Sequence, residues 1–358
     1  MRHLPAFPAL IGGAVLVLLL AALTALVRDR SEPPPAPTHA GEAQAPIQVY
    51  FTDPGAPESR TLRGGPDQAL AEAIDRAEFS VDVAVYNFDL WSIHDALLRA
   101  HRRGLRVRVV TDSDNILDPE MVDLQNGGLP LLGDRRESLM HHKFVVIDRL
   151  EVWTGSMNLS LSSAYDGNNN LIRVRSSSLA DDYTREFEEM FLEDRFVQLS
   201  RADTPEPVVW VGDAQFEVLF SPEDGVARRL LTLIRSAETQ LEVMAYALTA
   251  DTVAEALIRQ ADAGVTVRVV VEASQACASG AEFDRLRQTG IDIRLDGSPG
   301  DMHHKVIIID GQVLWTGSYN FTRSAEEYND ENVLIVHDVN VASQYQQEFE
   351  RIWAISTR

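Results

Sequence analysis

A single cysteine, Cys277, serves a chain of 358 residues. An internal disulfide is therefore excluded, and the thiol reads as an inert small residue of the kind usually buried. Basic charge is scarce too. Lysine and arginine total 32 against 54 acidic residues, a formal charge of −22. Nucleic-acid binding rests on a basic footprint that neutralises phosphates. So acidic a chain works against non-specific attachment to DNA or to anionic membranes, although a local basic pocket stays compatible with it. Disorder is also excluded, because 45% of residues are hydrophobic and 24% charged. The length suits one large domain or two ordinary ones.

Charge is missing altogether from Leu4 to Val27, a run bracketed by Arg2 and Arg28. It is longer than the roughly 20 residues needed to cross a bilayer as a helix. Cleavage after Ala25 would put Leu23 at the −3 position, a poor site for signal removal. Residues 1–30 therefore read as an N-terminal transmembrane anchor, with arginines on both flanks leaving its orientation open. Residues 31–46 are rich in proline and alanine and read as a semi-extended stalk. This reading puts the body outside the cytoplasm, in a periplasm or on a cell surface. It would be secreted if the segment were cleaved.

From Ile47 onward the chain reads twice, as residues 47–205 and 206–358. Phe51-Thr52-Asp53-Pro54 is echoed by Phe220-Ser221-Pro222-Glu223. Apolar β-rich runs at 80–88 and 240–248 follow helical patterns at 68–76 and 227–236. Second helices at 92–103 and 252–263 each stop at a glycine, Gly104 or Gly264. Strands at 105–110 and 265–271 come next. The closing helices at 181–191 and 341–353 share Glu186-Phe187-Glu188 and Glu348-Phe349-Glu350. Residues 200–211 form the crossover. The alternation predicts an α/β fold of two mixed sheets flanked by helices.

Each half carries one chemical signature. His141-x-Lys143 leads through Asp148 to Gly155-Ser156-x-Asn158, and His303-x-Lys305 through Asp310 to Gly317-Ser318-x-Asn320. Every marked position recurs 162 residues later. Strand geometry turns His141 and Lys143 to one side, and His303 and Lys305 likewise. The adjacent His142 and His304 face the other way, as supporting residues. Burying imidazole beside ammonium is costly without an anion, and a phosphate supplies one. Folded face to face, the copies surround one centre within a monomer. One histidine can attack phosphorus and the other can move the proton. The lysines, with Ser156, Asn158, Ser318 and Asn320, would bind the non-bridging oxygens. No metal or cofactor is required. Each glycine permits close approach of backbone to phosphate. Asp148 and Asp310 end their strands and fit a turn-anchoring role.

The doubled H-x-K-x4-D-x6-G-S-x-N pattern resembles the HKD motif of the phospholipase D superfamily, over roughly residues 47–358. The resemblance implies a duplicated phospholipase D-like fold and a catalytic set of His141, Lys143, Asp148, His303, Lys305, Asp310 and Glu331. It also implies a carboxylate behind each histidine, reached across the halves. Glu331 fits that place, whereas the matching position in the first half is Asn169, with Asp166 a possible substitute. An asparagine cannot offset imidazolium charge. The histidines are therefore expected to be unequal, with His141 as nucleophile and His303 as acid.

The expected reaction is hydrolysis of a phospholipid headgroup diester through a phosphohistidine. A nuclease and a cardiolipin synthase-type transferase are the alternatives within the superfamily, and a non-catalytic phosphate-binding module is the alternative outside it. A basic strip from Arg102, Arg103, Arg106 and Arg108 leading to the site would favour nucleic acid. An apolar rim with Trp91 or Trp153 would favour lipid. Trp153 and Trp315 recur at matching positions, which favours a structural role for both.

Overall fold

The computed structural model describes residues 45–358. The anchor and nearly all of the stalk lie outside them, and no helix among the described residues is long and apolar enough to cross a membrane. Valine- and isoleucine-rich segments become the central strands, because branched side chains pack well on a pleated surface. The first half supplies β1 (Ile47–Phe51), β2 (Ser80–Val85), β3 (Arg106–Thr111), β4 (Leu131–Gly133), β5 (Lys143–Ile147), β6 (Glu151–Gly155) and β7 (Asn170–Arg175). They form one sheet in the order β1-β7-β6-β5-β2-β3-β4. The second half supplies β8 (Val208–Val211), β9 (Ala214–Ser221), β10 (Gln240–Ala245), β11 (Thr266–Val271), β12 (Asp292–Leu295), β13 (Lys305–Ile309), β14 (Val313–Gly317) and β15 (Glu331–His337). Their order is β12-β11-β10-β13-β14-β15-β9-β8. Both sheets are mixed. β2 and β10 each pair in parallel with the next strand and antiparallel with the motif strand.

Alternation along the motif strands sorts the cores. Phe144 and Val146, with Val306 and Ile308, face one shared core between the sheets. Val145 and Ile147 face an outer core in the first half, and Ile307 and Ile309 face its counterpart in the second. The shared core holds the closing helices Ser177–Glu193 and Val339–Ile355, through Tyr183, Phe187, Tyr345 and Phe349. Each helix starts at a polar cap: Ser176 accepts from the Leu179 N–H, and Asp338 from Asn340 and Val341. The layers therefore run helices, sheet, two central helices, sheet, helices.

Three expectations change. The expected crossover 200–211 contains β8, which forms a hairpin with β9 at the edge of the second sheet. The echo around Phe51 and Phe220 marks equivalent strands, an edge in the first sheet and the strand inside β8 in the second, since Phe51 lies opposite Asn170 and Phe220 opposite Asn332. Cys277 is exposed, not buried. Trp153 and Trp315 are buried in the outer cores, in line with a structural role.

Candidate active site

β5 and β13 begin where the two sheets meet, and that junction sets the histidines. The His141 N–H donates to the Asp330 carbonyl at 2.9 Å, and the His303 N–H to the Asn168 carbonyl at 2.9 Å. Each half therefore holds the other's histidine by backbone as well as by side chain. The expected pairing across the halves is present. His141 Nδ1 lies 2.9 and 2.8 Å from the two Glu331 oxygens. His303 Nδ1 lies 3.0 Å from Asn169 Oδ1 and 3.1 Å from the Ser156 carbonyl. A ring N–H donates in each case, which leaves both Nε2 atoms for chemistry. Asp166 does not replace Asn169. It is exposed and lines the cleft outside His303.

The lysines close the centre. Lys143 Nζ donates to the His141 carbonyl and Lys305 Nζ to the His303 carbonyl, both at 3.0 Å. Lys143 sits over Tyr86 and Lys305 over Tyr246, at 5.6 and 4.7 Å. These are the chain's only two lysines, and every other side-chain cation of the lysine–arginine class is arginine. That scarcity is visible in the sequence and singles out the same two residues. An ammonium on a flexible stem can be held buried and can follow a moving phosphate oxygen.

Burial sets the protonation states. It lowers His141 to about 4, against an upward pull from Glu331. His303 is driven well below the usual histidine range by burial and then by Lys305, Lys143 and His141. Burial lowers Lys143 to about 7 and Lys305 well below its ordinary value. For Glu331 burial acts upward, but His141 and Lys143 outweigh it and hold the carboxyl below its usual value. Each lysine depresses the opposite half's histidine, so the four groups share one field. Glu331 pulls both lysines upward and Asp301 pulls Lys305, yet burial outweighs them, and a phosphodiester anion would add negative charge that favours the ammonium forms.

Several roles differ from expectation. Asp148 and Asp310 stand at the far ends of the motif strands. Asp148 accepts the N–H groups of Glu78, Phe79 and Ser80, and Asp310 those of Glu238, Thr239 and Gln240. They anchor turns, the role their strand-end positions suggest, and touch no reacting group, unlike the catalytic place the resemblance implies. Ser156 and Ser318 are fully buried and already engaged. Ser156 Oγ donates to Asn169 at 3.0 Å, and Ser318 Oγ to Glu331 at 2.6 Å. They orient the groups behind the histidines. Asn158 and Asn320 each keep a buried Oδ1 that has no hydrogen-bond partner among the described residues. Gly155 and Gly317 serve a neighbouring strand, not phosphate. Their φ values are 151° and 144°, and a Cβ would meet the Asn170 or Asn332 carbonyl at 2.3 or 2.2 Å.

The second histidines face the shared core, as the strand alternation predicts. His142 meets Glu186 and His304 meets Glu348, each at 3.0 Å. This is the role of the repeated Glu-Phe-Glu, which the sequence displays as a pattern without a partner. Asn170 and Asn332 were also missed. Asn170 joins His304 to Thr316 and Tyr345, and Asn332 joins Thr154 to the Lys143 N–H. Both bind across the halves, so only the fold reveals them.

The comparisons agree with this duplication. A family described as "Cardiolipin synthase, PLD-like domain" matches residues 70–191 and 230–353. A mitochondrial cardiolipin hydrolase of Xenopus tropicalis is 40% identical over 130 residues, which cover 36% of this chain and 62% of that protein. A phospholipase D of Rickettsia prowazekii is 35% identical over 130 residues, covering 36% of this chain and 65% of that protein. The chain thus spans less than two thirds of the length of either relative. The phosphatidylserine synthase of Haemophilus influenzae shares the fold, with a TM-score of 0.63 at 15% identity over 85% of this chain and 86% of that one. Each matched stretch contains one His-x-Lys motif, and the chain accordingly belongs to the phospholipase D superfamily.

Proposed function

We propose that this chain hydrolyses the headgroup diester of a phospholipid, with His141 as nucleophile and His303 as acid and base. The observation that carries the assignment is the unequal backing of the two rings, a carboxylate behind His141 and an amide behind His303. His141 Nε2 attacks phosphorus, the bond to the headgroup oxygen breaks, and the ring becomes a phosphohistidine whose positive charge Glu331 offsets. The diester's negative charge draws a proton onto His303, which gives it to the leaving oxygen. Water then loses a proton to His303, attacks phosphorus and frees His141. Lys143 and Lys305 neutralise the non-bridging oxygens throughout.

Lipid is favoured over nucleic acid by what surrounds the centre. The Tyr86 ring lies 5.2 Å from His141, and the Leu90 N–H donates to the Leu159 carbonyl in the same loop cluster. Trp91 opens the helix that follows, Leu117 lies in the loop after β3 and Leu161 beside Asp89, and they are 56%, 81% and 39% exposed. Their duplicates in the second half are Asp251, Cys277 and Arg323. Exposed large apolar side chains at a site's edge suit an interface with lipid. The arginine strip gives no counterweight. Arg106 and Arg108 start β3, whose opposite end meets the site, and Arg108 is bound to Asp82 at 2.7 and 2.8 Å. The names of the two relatives, a cardiolipin hydrolase and a phospholipase D, support the same substrate class.

The test is a paired assay of the full chain on phosphatidylcholine vesicles and on single-stranded DNA, with EDTA present. Release of headgroup, abolished by Lys143→Ala and by His303→Ala, is the expected outcome. Cleavage of DNA with vesicles left intact would sink the lipid reading.

A further inference from the structure

The two closing helices differ behind the centre, at a place the duplication would make alike. In the second half Arg351 backs the His304–Glu348 pair. It binds the two Glu348 oxygens at 2.7 and 2.8 Å and Asn168 Oδ1 at 2.6 Å, and it lies 3.3 Å from Asp53. Asn168 in turn accepts the His303 N–H through its carbonyl. At the offset of 162 the first half keeps a glutamate, Glu186, but has Glu189 for Arg351 and Asp330 for Asn168. A cation and an amide thus become two carboxyl groups. Glu223 joins them from the turn after β9, as Asp53 joins Arg351 from the turn after β1.

These carboxyl groups are buried and short of partners. Asp330 and Glu189 are each 1% exposed. Asp330 Oδ1 accepts the Val197 N–H, whereas Asp330 Oδ2 and both oxygens of Glu189 and Glu223 are buried without a well-formed hydrogen bond. Only the Arg201 N–H comes near Glu189, and Glu223's own N–H near Glu223. Asp330 faces Glu186, Asp134 and Glu331, and Glu223 faces Glu186, Asp224 and Asp330. Glu189 faces Glu186, Asp203 and Arg185. Arg185 is 3.8 Å from Glu189 but is already bound to Asp203 at 2.7 and 2.9 Å and to Glu193 at 2.8 Å. Arg136 is turned to the Asp134 and Asp194 carbonyls. Among the described residues no three such groups are arranged to hold a metal ion. Burial without a cation favours the protonated carboxyl. Burial first, and then Glu186, raise Glu189 to about 7. The same causes raise Glu223 and, against the Val197 N–H, Asp330 well above the usual carboxyl range.

The cluster meets the His141 segment at two points. The Asp330 carbonyl accepts the His141 N–H, and Glu186 holds His142. We propose that this acid cluster is a pH-sensitive clamp: its protons hold the His141 segment, and their loss releases that segment while Arg351 keeps the His303 segment in place. A carboxyl whose folded value is raised stabilises the fold fully below its unfolded value of about 4, and that stability is lost as pH rises through the folded value. The clamp therefore tightens in acid and loosens toward alkaline pH on one side of the centre. It acts whatever diester the centre takes, so it does not depend on the lipid reading.

Hydrogen exchange of the full chain between about pH 5 and 8, read by mass spectrometry on peptides covering 139–143 and 301–305, tests the clamp. The chemical exchange rate scales with pH equally in both, so the ratio of their protection is the readout. Each proton lost on release changes the opening constant by up to about tenfold per pH unit. The first-half peptide should therefore lose protection relative to the second by about tenfold or more across this range. Asp330→Asn supplies the amide of the second half and, combined with Glu189→Gln, should leave less than about a threefold change. Glu223→Gln is the second variant and should reduce the change in part. All these substitutions keep side-chain shape and leave the central histidines and lysines unaltered. A ratio independent of pH in the wild type, or a change that persists in the variants, overturns the clamp. A change abolished by added calcium chloride also overturns it, because a bound cation would then stand in place of the protons.

Discussion

Replacing Glu331 by glutamine tests the inequality of the two histidines directly. The side chain is fully buried and serves three donors: His141 at 2.8 and 2.9 Å, Ser318 at 2.6 Å and Asn329 at 3.0 Å. Glutamine keeps the shape and removes the charge. When His141 Nε2 bonds to phosphorus, the ring turns cationic about 4 Å from that charge. The attraction is then worth about 4 kcal/mol at an effective dielectric constant near 20. A neutral hydrogen bond retains about 1 kcal/mol of it. A net loss of about 3 kcal/mol is about two decades in rate. Glu331→Gln should thus lower kcat about 100-fold, read by headgroup release, with little change in KM because the charge matters most after attack begins. Thermal melting of the variant separates this from loss of fold. A quenched reaction with a radiolabelled diester should trap phosphate on His141 in the wild type. Adding Asn169→Asp to Glu331→Gln moves the charge behind His303 and should move the trapped phosphate with it. Retention of more than about a third of kcat by Glu331→Gln, or a wild-type adduct on His303, would refute the reasoning.

Two further outcomes follow from the same site. Because His141 must be neutral to attack while His303 and Lys143 must carry their protons, kcat/KM should rise as pH passes about 4 and should already be falling by about 7, where Lys143 titrates. Bound diester favours the charged lysine, so the alkaline fall in kcat should lie higher than that in kcat/KM; coincident limbs would count against Lys143 as the titrating group. Gly317→Ala should cost about 2–4 kcal/mol, since its Cβ would lie 2.2 Å from the Asn332 carbonyl at a φ of 144°. Denaturant unfolding would measure this, and a loss under about 0.5 kcal/mol would contradict the packing role given to that glycine.

Much of the architecture was legible because duplication repeats every signal. The period-2 runs, the glycine stops and the paired motifs each occur twice, so an ambiguous segment in one half is read from the other. The catalytic pairs were legible for the same reason, and so was the Glu331/Asn169 mismatch. What escaped was whatever depends on contacts between the halves. Ser156 and Ser318 are polar residues beside a phosphate motif, and their sequence context points to the ligand. Their hydroxyls instead turn to Asn169 and Glu331, which arrive on later strands. Asn170 and Asn332 carry no motif at all, yet each bonds across the interface. The glycine before each serine points in sequence to phosphate approach, whereas in the fold the adjacent strand passes too close for a Cβ. A linear pattern names the residue that is constrained and leaves the partner that constrains it unnamed.

Duplication also explains why the differences between halves are informative. A duplicated fold that closes on one centre gives two equivalent histidines, two lysines and two mouths. One diester cannot use them equivalently, since one ring must attack while the other donates a proton. Any departure from symmetry at the centre therefore biases the direction of attack. The departure at the centre itself is Glu331 against Asn169. A carboxylate there favours positive charge on His141, which is why the proposed mechanism gives His141 to phosphorus and His303 to the proton. A reversed assignment would need the carboxylate to stabilise the wrong ring.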